Sequence, residues 1–244
     1  MTPYYQTNLG TLYQGDCLEV LKEIEDNSVD LILTDPPYIL EERSSYGKNK
    51  LAKSLVKHRK ELDEKDLING CDNWYKELDN LQKHRNIYIW CSRMQVIEYQ
   101  NYFAIDKELN YDILIWNKPN AFPTFNNSYI PDKEYCLFFR EKGSHIKIEN
   151  YENAKTIFHQ PINQKDKQTW KHPTIKPLNI IETLIKNSTK EGDVVLDMFM
   201  GSGTVALACE RANRKWIGIE IDEEYCKLIK ERLEQETNQG KLDI

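Results

Sequence analysis

The stretch Asp193-Val194-Val195-Leu196-Asp197-Met198-Phe199-Met200-Gly201-Ser202-Gly203-Thr204-Val205-Ala206-Leu207-Ala208 sets the fold class. An apolar run bounded by acidic residues has the pattern of a short strand covered on both faces. Glycines at 201 and 203 then let the backbone turn tightly and approach a ligand closely, and the apolar run that follows predicts a helix over 205–212. Glycines so placed also serve a purely structural turn. The loop is not a phosphate loop, because Val205 and Ala206 follow Thr204 where a Gly-Lys-Ser/Thr sequence would supply the phosphate-binding lysine.

Downstream, Trp216-Ile217-Gly218-Ile219-Glu220 reads as a second strand that ends on a carboxylate, 19 positions past Gly201. A carboxylate at that spacing can take both hydroxyls of a ribose. Upstream, further strands are predicted over 11–14, 29–34, 86–91, 111–117 and 134–140, with helices over 17–24, 72–82, 94–103, 177–187 and 223–236. Strands alternating with helices indicate an α/β fold with a doubly wound, mostly parallel sheet of seven strands, whose sites lie at the carboxyl ends of the strands. Two polar stretches, 39–70 and 142–171, break the alternation and read as inserts.

The 244 residues suffice for one domain with a substantial core. No apolar run is long enough for a membrane span, and Met1-Thr2-Pro3-Tyr4-Tyr5 has no secretory pattern, so a cytoplasmic protein is expected. The six cysteines form no C-x-x-C pair and no metal-ligand spacing, so reduced thiols and no metal are expected. A net charge of −6 argues against a protein that coats nucleic acid without specificity. Local charge differs: 41–60 holds seven basic residues against two acidic ones. Composition alone makes that a solvated face.

The most specific segment is Asp35-Pro36-Pro37-Tyr38, directly after the strand over 29–34. Two prolines remove two backbone donors and hold the chain extended with outward carbonyls. A rigid turn would use the same residues. A carboxylate and a proline carbonyl beside an aromatic face also suit an amino group on a planar ring, which offers two N–H donors and a π surface.

Together these residues resemble the β-class DNA amino-methyltransferases, in which D-P-P-Y precedes F-x-G-S-G-T. The resemblance runs from Tyr13 to Leu233 and includes Gly15-Asp16, Ile115-Trp116-Asn117-Lys118, Glu134-Tyr135, His172-Pro173-Thr174-Ile175-Lys176-Pro177, Gly218-Ile219-Glu220 and Tyr225 with Arg232-Leu233. Met198 stands where the family usually has Pro, and Lys133 where it more often has His. The resemblance implies a circularly permuted, Rossmann-like sheet with the cofactor half encoded last, and S-adenosylmethionine as methyl donor. It implies Asp35, Pro36, Pro37 and Tyr38 as the catalytic segment. Phe199, Gly201, Ser202, Gly203 and Thr204 would surround the methionine part, with Asp35 and Asp197 at its edge and Thr174 and Lys176 near its carboxylate. Glu220 would take the ribose, and Asp16 and Cys17 would border the adenine. The substrate implied is double-stranded DNA, with 142–171 as a short target-recognition segment and the basic stretch within 39–70 sharing DNA contacts. A homodimer and a cognate restriction endonuclease are further partners that the family admits and this sequence does not require.

Chemically, Asp35 and the Pro36 carbonyl would each accept one N–H of an exocyclic amine and draw its nitrogen toward tetrahedral geometry. Tyr38 would stack on a base that has left the duplex. Members of the resembled family that act on N4 of cytosine more often begin the tetrapeptide with Ser, so the resemblance with Asp35 at that position favours N6 of adenine, with N4 of cytosine as the alternative. A non-catalytic DNA-binding module of the same fold, and an RNA or protein-amide substrate, are the other readings.

Overall fold

The computed structural model describes residues 1–38, 73–123, 129–170 and 174–240. Among the described residues nine strands form one sheet: β1 Tyr5–Gln6, β2 Gly10–Gln14, β3 Leu31–Thr34, β4 Asn86–Cys91, β5 Asn110–Asn117, β6 Lys133–Arg140, β7 Ile157–His159, β8 Val194–Asp197 and β9 Lys215–Glu220. Their order is β1-β2-β9-β8-β3-β4-β6-β5-β7. The five strands from β2 to β4 are mutually parallel, β6 runs antiparallel between β4 and β5, and β7 is parallel to β5. The seven strands expected from periodicity are all present. β1 and β7 add an edge on either side, and at two and three residues they are too short to show any period.

The sheet is central because its middle strands have no polar face. All four residues of β3 and all six of β4 are buried. Leu31 and Leu33 pack toward α4 (Leu178–Ser188), α5 (Thr204–Ala212) and α6 (Glu223–Gly240), while Ile32 packs toward α1 (Cys17–Leu21) and α2 (Val96–Tyr99) on the other side. The alternation follows from the two-residue period of a strand. A further helix, α3 (Gln164–Trp170), lies in the 142–171 stretch with β7 and a 3-10 turn, Glu152–Ala154, so that stretch carries short elements of its own. The helix expected over 72–82 is a 3-10 turn, Trp74–Leu78, whose Trp74 and Tyr75 meet Tyr99 edge-on. α2 opens into a π-helical segment, Gln100–Asp106.

Two features position the site. The chain leaves β8 toward β9 and leaves β3 toward β4, so the winding reverses between β8 and β3 and opens a crevice at their carboxyl ends. Beyond β8, Gly10 of β2 lies opposite Trp216 of β9, where a Cβ would stand 2.1 Å from the indole ring. Only glycine lets the two strands pair over that ring.

Candidate active site and cofactor cradle

At the reversal point the hydroxyl of Thr34 donates to Asp197 Oδ1 at 2.8 Å, tying the ends of β3 and β8 together. The same oxygen accepts the Phe199 amide at 3.1 Å. Asp197 is buried, and burial pushes its carboxyl up to about 7 even though both hydrogen bonds favour the ionised form.

The next residue after Thr34 is Asp35. Its Oδ2 accepts the ammonium of Lys176, whereas Oδ1 is buried and has no hydrogen-bond partner among the described residues. Burial raises the Asp35 pKa, with the Lys176 charge pulling the other way. The diproline that follows is clamped by Gln95, whose Nε2 donates to the Pro37 carbonyl at 3.0 Å while its Oε1 accepts the Ser92 amide at 3.1 Å. Tyr38 closes the loop: its hydroxyl accepts from Lys176 Nζ at 3.3 Å, and the ammonium lies 5.4 Å from the ring centre. Burial pushes the Tyr38 phenol well above its ordinary value.

On the other side of the crevice the loop after β8 turns through Gly201 at φ +49° and Gly203 at φ +73°, both left-handed. A Cβ on Gly203 would also come within 3.0 Å of Ile229 on α6. The Gly201 amide donates to Glu220 Oε2 at 2.7 Å and the Asp222 amide to Oε1 at 2.9 Å, so two backbone donors fix the Glu220 carboxylate at the end of β9. The Glu220 carbonyl accepts the Gly15 amide at 3.0 Å, which brings Asp16 and Cys17 alongside. Asp16 caps α1 by accepting the Leu18 amide at 2.8 Å, and Cys17 is buried beneath it. Buried Arg232 donates to the Ser202 carbonyl and, at 3.3 Å, to the Thr204 hydroxyl, with its guanidinium 5.5 Å from the Trp170 ring. A rigid carboxylate loop thus faces a glycine loop held from behind.

The family model for DNA methylases matches residues 29–231, which span both loops. The chain belongs to that family, the N6 and N4 DNA amino-methyltransferases. Members of the family take their methyl group from S-adenosylmethionine. Over 256 residues the chain is 32% identical to the type II methyltransferase M2.MboI of Moraxella bovis, covering 96% of this chain and 92% of that protein. It is similar to the crystal structure of the M1.HpyAVI-SAM complex, with 29% identity, a TM-score of 0.67 and coverage of 92% of this chain and 100% of that one. PvuII DNA methyltransferase, described as cytosine-N4-specific, shares the fold at 20% identity and a TM-score of 0.65, covering 91% of this chain and 86% of that one.

In this methyltransferase the sequence-derived residues fall into two groups facing one crevice. Asp35, Pro36, Pro37, Tyr38 and Lys176 form one. Asp197, Phe199, Gly201, Ser202, Gly203, Thr204 and Glu220, with Asp16 and Cys17 beside them, form the other. Thr174 is exposed, at the start of the described segment that leads to Lys176. His172 and the basic stretch 41–60 lie outside the described residues. The Lys176 ammonium is in contact with Asp35 and stands 3.2 Å from Glu134 Oε2. Glu134 Oε1 takes Lys118, and Lys118 lies 4.7 Å from the Trp116 ring. Burial opposes ionisation of Glu134, but the two ammonium groups outweigh it and bring its carboxyl down to about 2. Thr34 and Gln95 carried no sequence signal, since each acts through a partner distant in the chain. Lys118, Glu134 and Arg232 were visible within the family pattern but without a role.

Among the described residues no group of three or more His, Cys, Asp or Glu side chains is arranged to hold a metal, and no helix is long and apolar enough to cross a membrane. Cys17, Cys91, Cys136, Cys209 and Cys226 are buried and none is in a disulfide among the described residues.

Proposed function

We propose that this chain methylates N6 of adenine in a base flipped out of duplex DNA. The observation that carries the reading is Asp35 Oδ1, a buried carboxylate oxygen with no hydrogen-bond partner among the described residues, at the strand-reversal crevice. A buried acceptor left unpaired costs free energy unless a ligand uses it. An exocyclic N–H is such a ligand, and the rigid Asp35-Pro36-Pro37-Tyr38 loop excludes competing backbone donors at both prolines.

Bound S-adenosylmethionine supplies an electrophilic methyl group on a sulfonium, a good leaving group. The protein prepares the nucleophile. Asp35 Oδ1 and the Pro36 carbonyl each accept one N–H of the amine, whose lone pair is otherwise spread into the ring, and localise that lone pair on nitrogen. As the new N–C bond forms and the C–S bond breaks, positive charge grows on nitrogen beside Asp35, so the carboxylate stabilises the transition state more than the ground state. The amine is far too weak an acid to be deprotonated first, so its proton leaves late, to Asp35 and then to solvent. Gln95 keeps the Pro37 carbonyl occupied and the loop in register, and Tyr38 offers the stacking face.

On the cofactor side, the left-handed glycines and the fixed Glu220 carboxylate fit a nucleoside-linked amino acid. Glu220 takes the ribose, Asp16 and Cys17 border the adenine, and Phe199, Asp197, Gly201, Ser202, Gly203 and Thr204 enclose the methionine part. Thr174 lies toward its carboxylate, and Lys176 reaches that end through Asp35. Residues 142–171 serve as the target-recognition segment, with the exposed Ile148 and Tyr151 among its contacts. A cognate restriction endonuclease and a homodimer complete the reading.

The test is incubation with methyl-labelled S-adenosylmethionine and unmethylated duplex DNA, followed by digestion and chromatography of the nucleosides. Label in N6-methyladenine that disappears in Asp35→Ala is expected. Label in N4-methylcytosine would keep the mechanism and overturn the base, and no label in any nucleoside would overturn both.

A further inference from the structure

Across the carboxyl edge of the sheet, four charged side chains alternate in sign: Asp35 after β3, Lys176 before α4, Glu134 on β6 and Lys118 after β5. All are shielded, the exposures being 26% for Asp35, 7% for Lys176, 16% for Glu134 and 13% for Lys118. Asp35 has a place in the reaction derived above and Lys176 a place at the cofactor's end of it, whereas Glu134 and Lys118 have none. We propose that Glu134 is a positioning residue that acts through Lys176: it balances the Lys176 charge so that this lysine orients Asp35 without cancelling its field at the target amine.

The inference rests on the methyl-transfer reading, and its physical reason is charge balance. Lys176 fixes one oxygen of Asp35 and so aims the other. A lone buried ammonium in that contact would neutralise the carboxylate that has to stabilise a nitrogen turning positive, and would itself lose its counter-charge when Asp35 takes the proton. Glu134, whose Oε2 stands 3.2 Å from the same ammonium, meets both needs. Lys118 at the end of the row holds Glu134 in place.

Among the described residues, the groups that act on Asp35 are Lys176, Glu134 and Tyr38, together with Cys91 on β4, Cys136 on β6 and Asp197 on β8. Burial pushes the Cys91 thiol up to about 12 and Cys136 and Tyr38 well above their ordinary values, so these three stay neutral. Asp197 ionises near 7. Below that pH the charges of the described residues acting on Asp35 are those of the row, and their alternation predicts an alternating response. Removing Lys176 raises the Asp35 pKa, removing Glu134 lowers it, and removing Lys118, which leaves Glu134 less compensated, raises it slightly.

The experiment compares wild type with Lys176→Met, Glu134→Gln and Lys118→Met in two readouts between pH 4 and 7. One is the single-turnover rate of methyl transfer to duplex DNA, and the other is a carboxyl carbon-13 NMR titration of Asp35, which needs no turnover. Expected for Glu134→Gln is a rate lower by about ten- to a hundredfold, with S-adenosylmethionine affinity unchanged and an Asp35 titration displaced to lower pH. The two lysine variants are expected to displace it to higher pH. A Glu134→Gln protein with wild-type rate and an unmoved Asp35 titration would overturn the proposal, and so would one in which Asp35 moves the same way as in Lys176→Met, the sign of simple structural damage. If wild type itself transfers no methyl group while the NMR shifts alternate as stated, the charge row stands and the reaction assigned to it falls.

Discussion

Asp197 shows how one buried carboxyl sets a measurable pH dependence. Its folded pKa of about 7 lies above the ordinary 3.8, so the fold prefers the protonated form. The stability this contributes is complete below about pH 4, declines as the unfolded chain ionises first, and is gone above about pH 7. The difference corresponds to on the order of 4 kcal/mol at neutral pH and above. Asp197→Asn keeps an acceptor for Thr34 and Phe199 and removes the titration. Its melting temperature without ligand should therefore gain on wild type between pH 5 and pH 8, and a difference that is flat across that range would mean Asp197 is ionised in the fold. At this scale the sequence was informative where chemistry is local. Asp-Pro-Pro-Tyr and Gly-Ser-Gly-Thr announce their own geometry because proline and glycine fix or free the backbone at their own positions. Gln95 and Arg232 do not, since a glutamine that holds a proline carbonyl 58 residues away looks like any other glutamine.

Strands and long helices were legible for a related reason: a buried strand writes its two covered faces into consecutive residues, as β4 does over Asn86–Cys91. Elements of two or three residues, such as β1 and β7, contain too few positions for a period, and the 3-10 turn at Trp74–Leu78 is shaped by aromatic packing with α2 and Phe199 that lies outside its own pattern. The pairing of β2 with β9 was also hidden, although Gly10 in the first of them is its requirement. Gly10→Ala would drive a methyl group into the Trp216 ring, which cannot swing away because it is buried and its Nε1 donates to Glu210 at 2.7 Å. Such overpacking should cost about 1–3 kcal/mol. A denaturant titration that finds Gly10→Ala as stable as wild type would show that the strands can slide apart locally.

For the molecule as a whole, a cofactor that bridges the β8–α5 loop and the end of β9 should stabilise the native state. At a free concentration of about 100 times its dissociation constant, S-adenosylmethionine is expected to add about 2.7 kcal/mol, and to raise the melting temperature by about 5–10 °C for a chain of this size. Gly203→Ala, which puts a Cβ on a left-handed residue 3.0 Å from Ile229, should lower the starting temperature and shrink that rise. An equal rise in both proteins would place the cofactor elsewhere.

The sheet order also has a consequence for synthesis. β3, which carries Asp35 at its end, is made early, but its neighbour β8 and the partner of β2, β9, are made last. Until then the emerging chain holds two apolar strand edges apart with nothing between them, the arrangement most open to wrong pairing with another copy. A chain released before Val194 has the whole Asp-Pro-Pro-Tyr segment with β3 and β4, but neither β8 nor β9 to set it against.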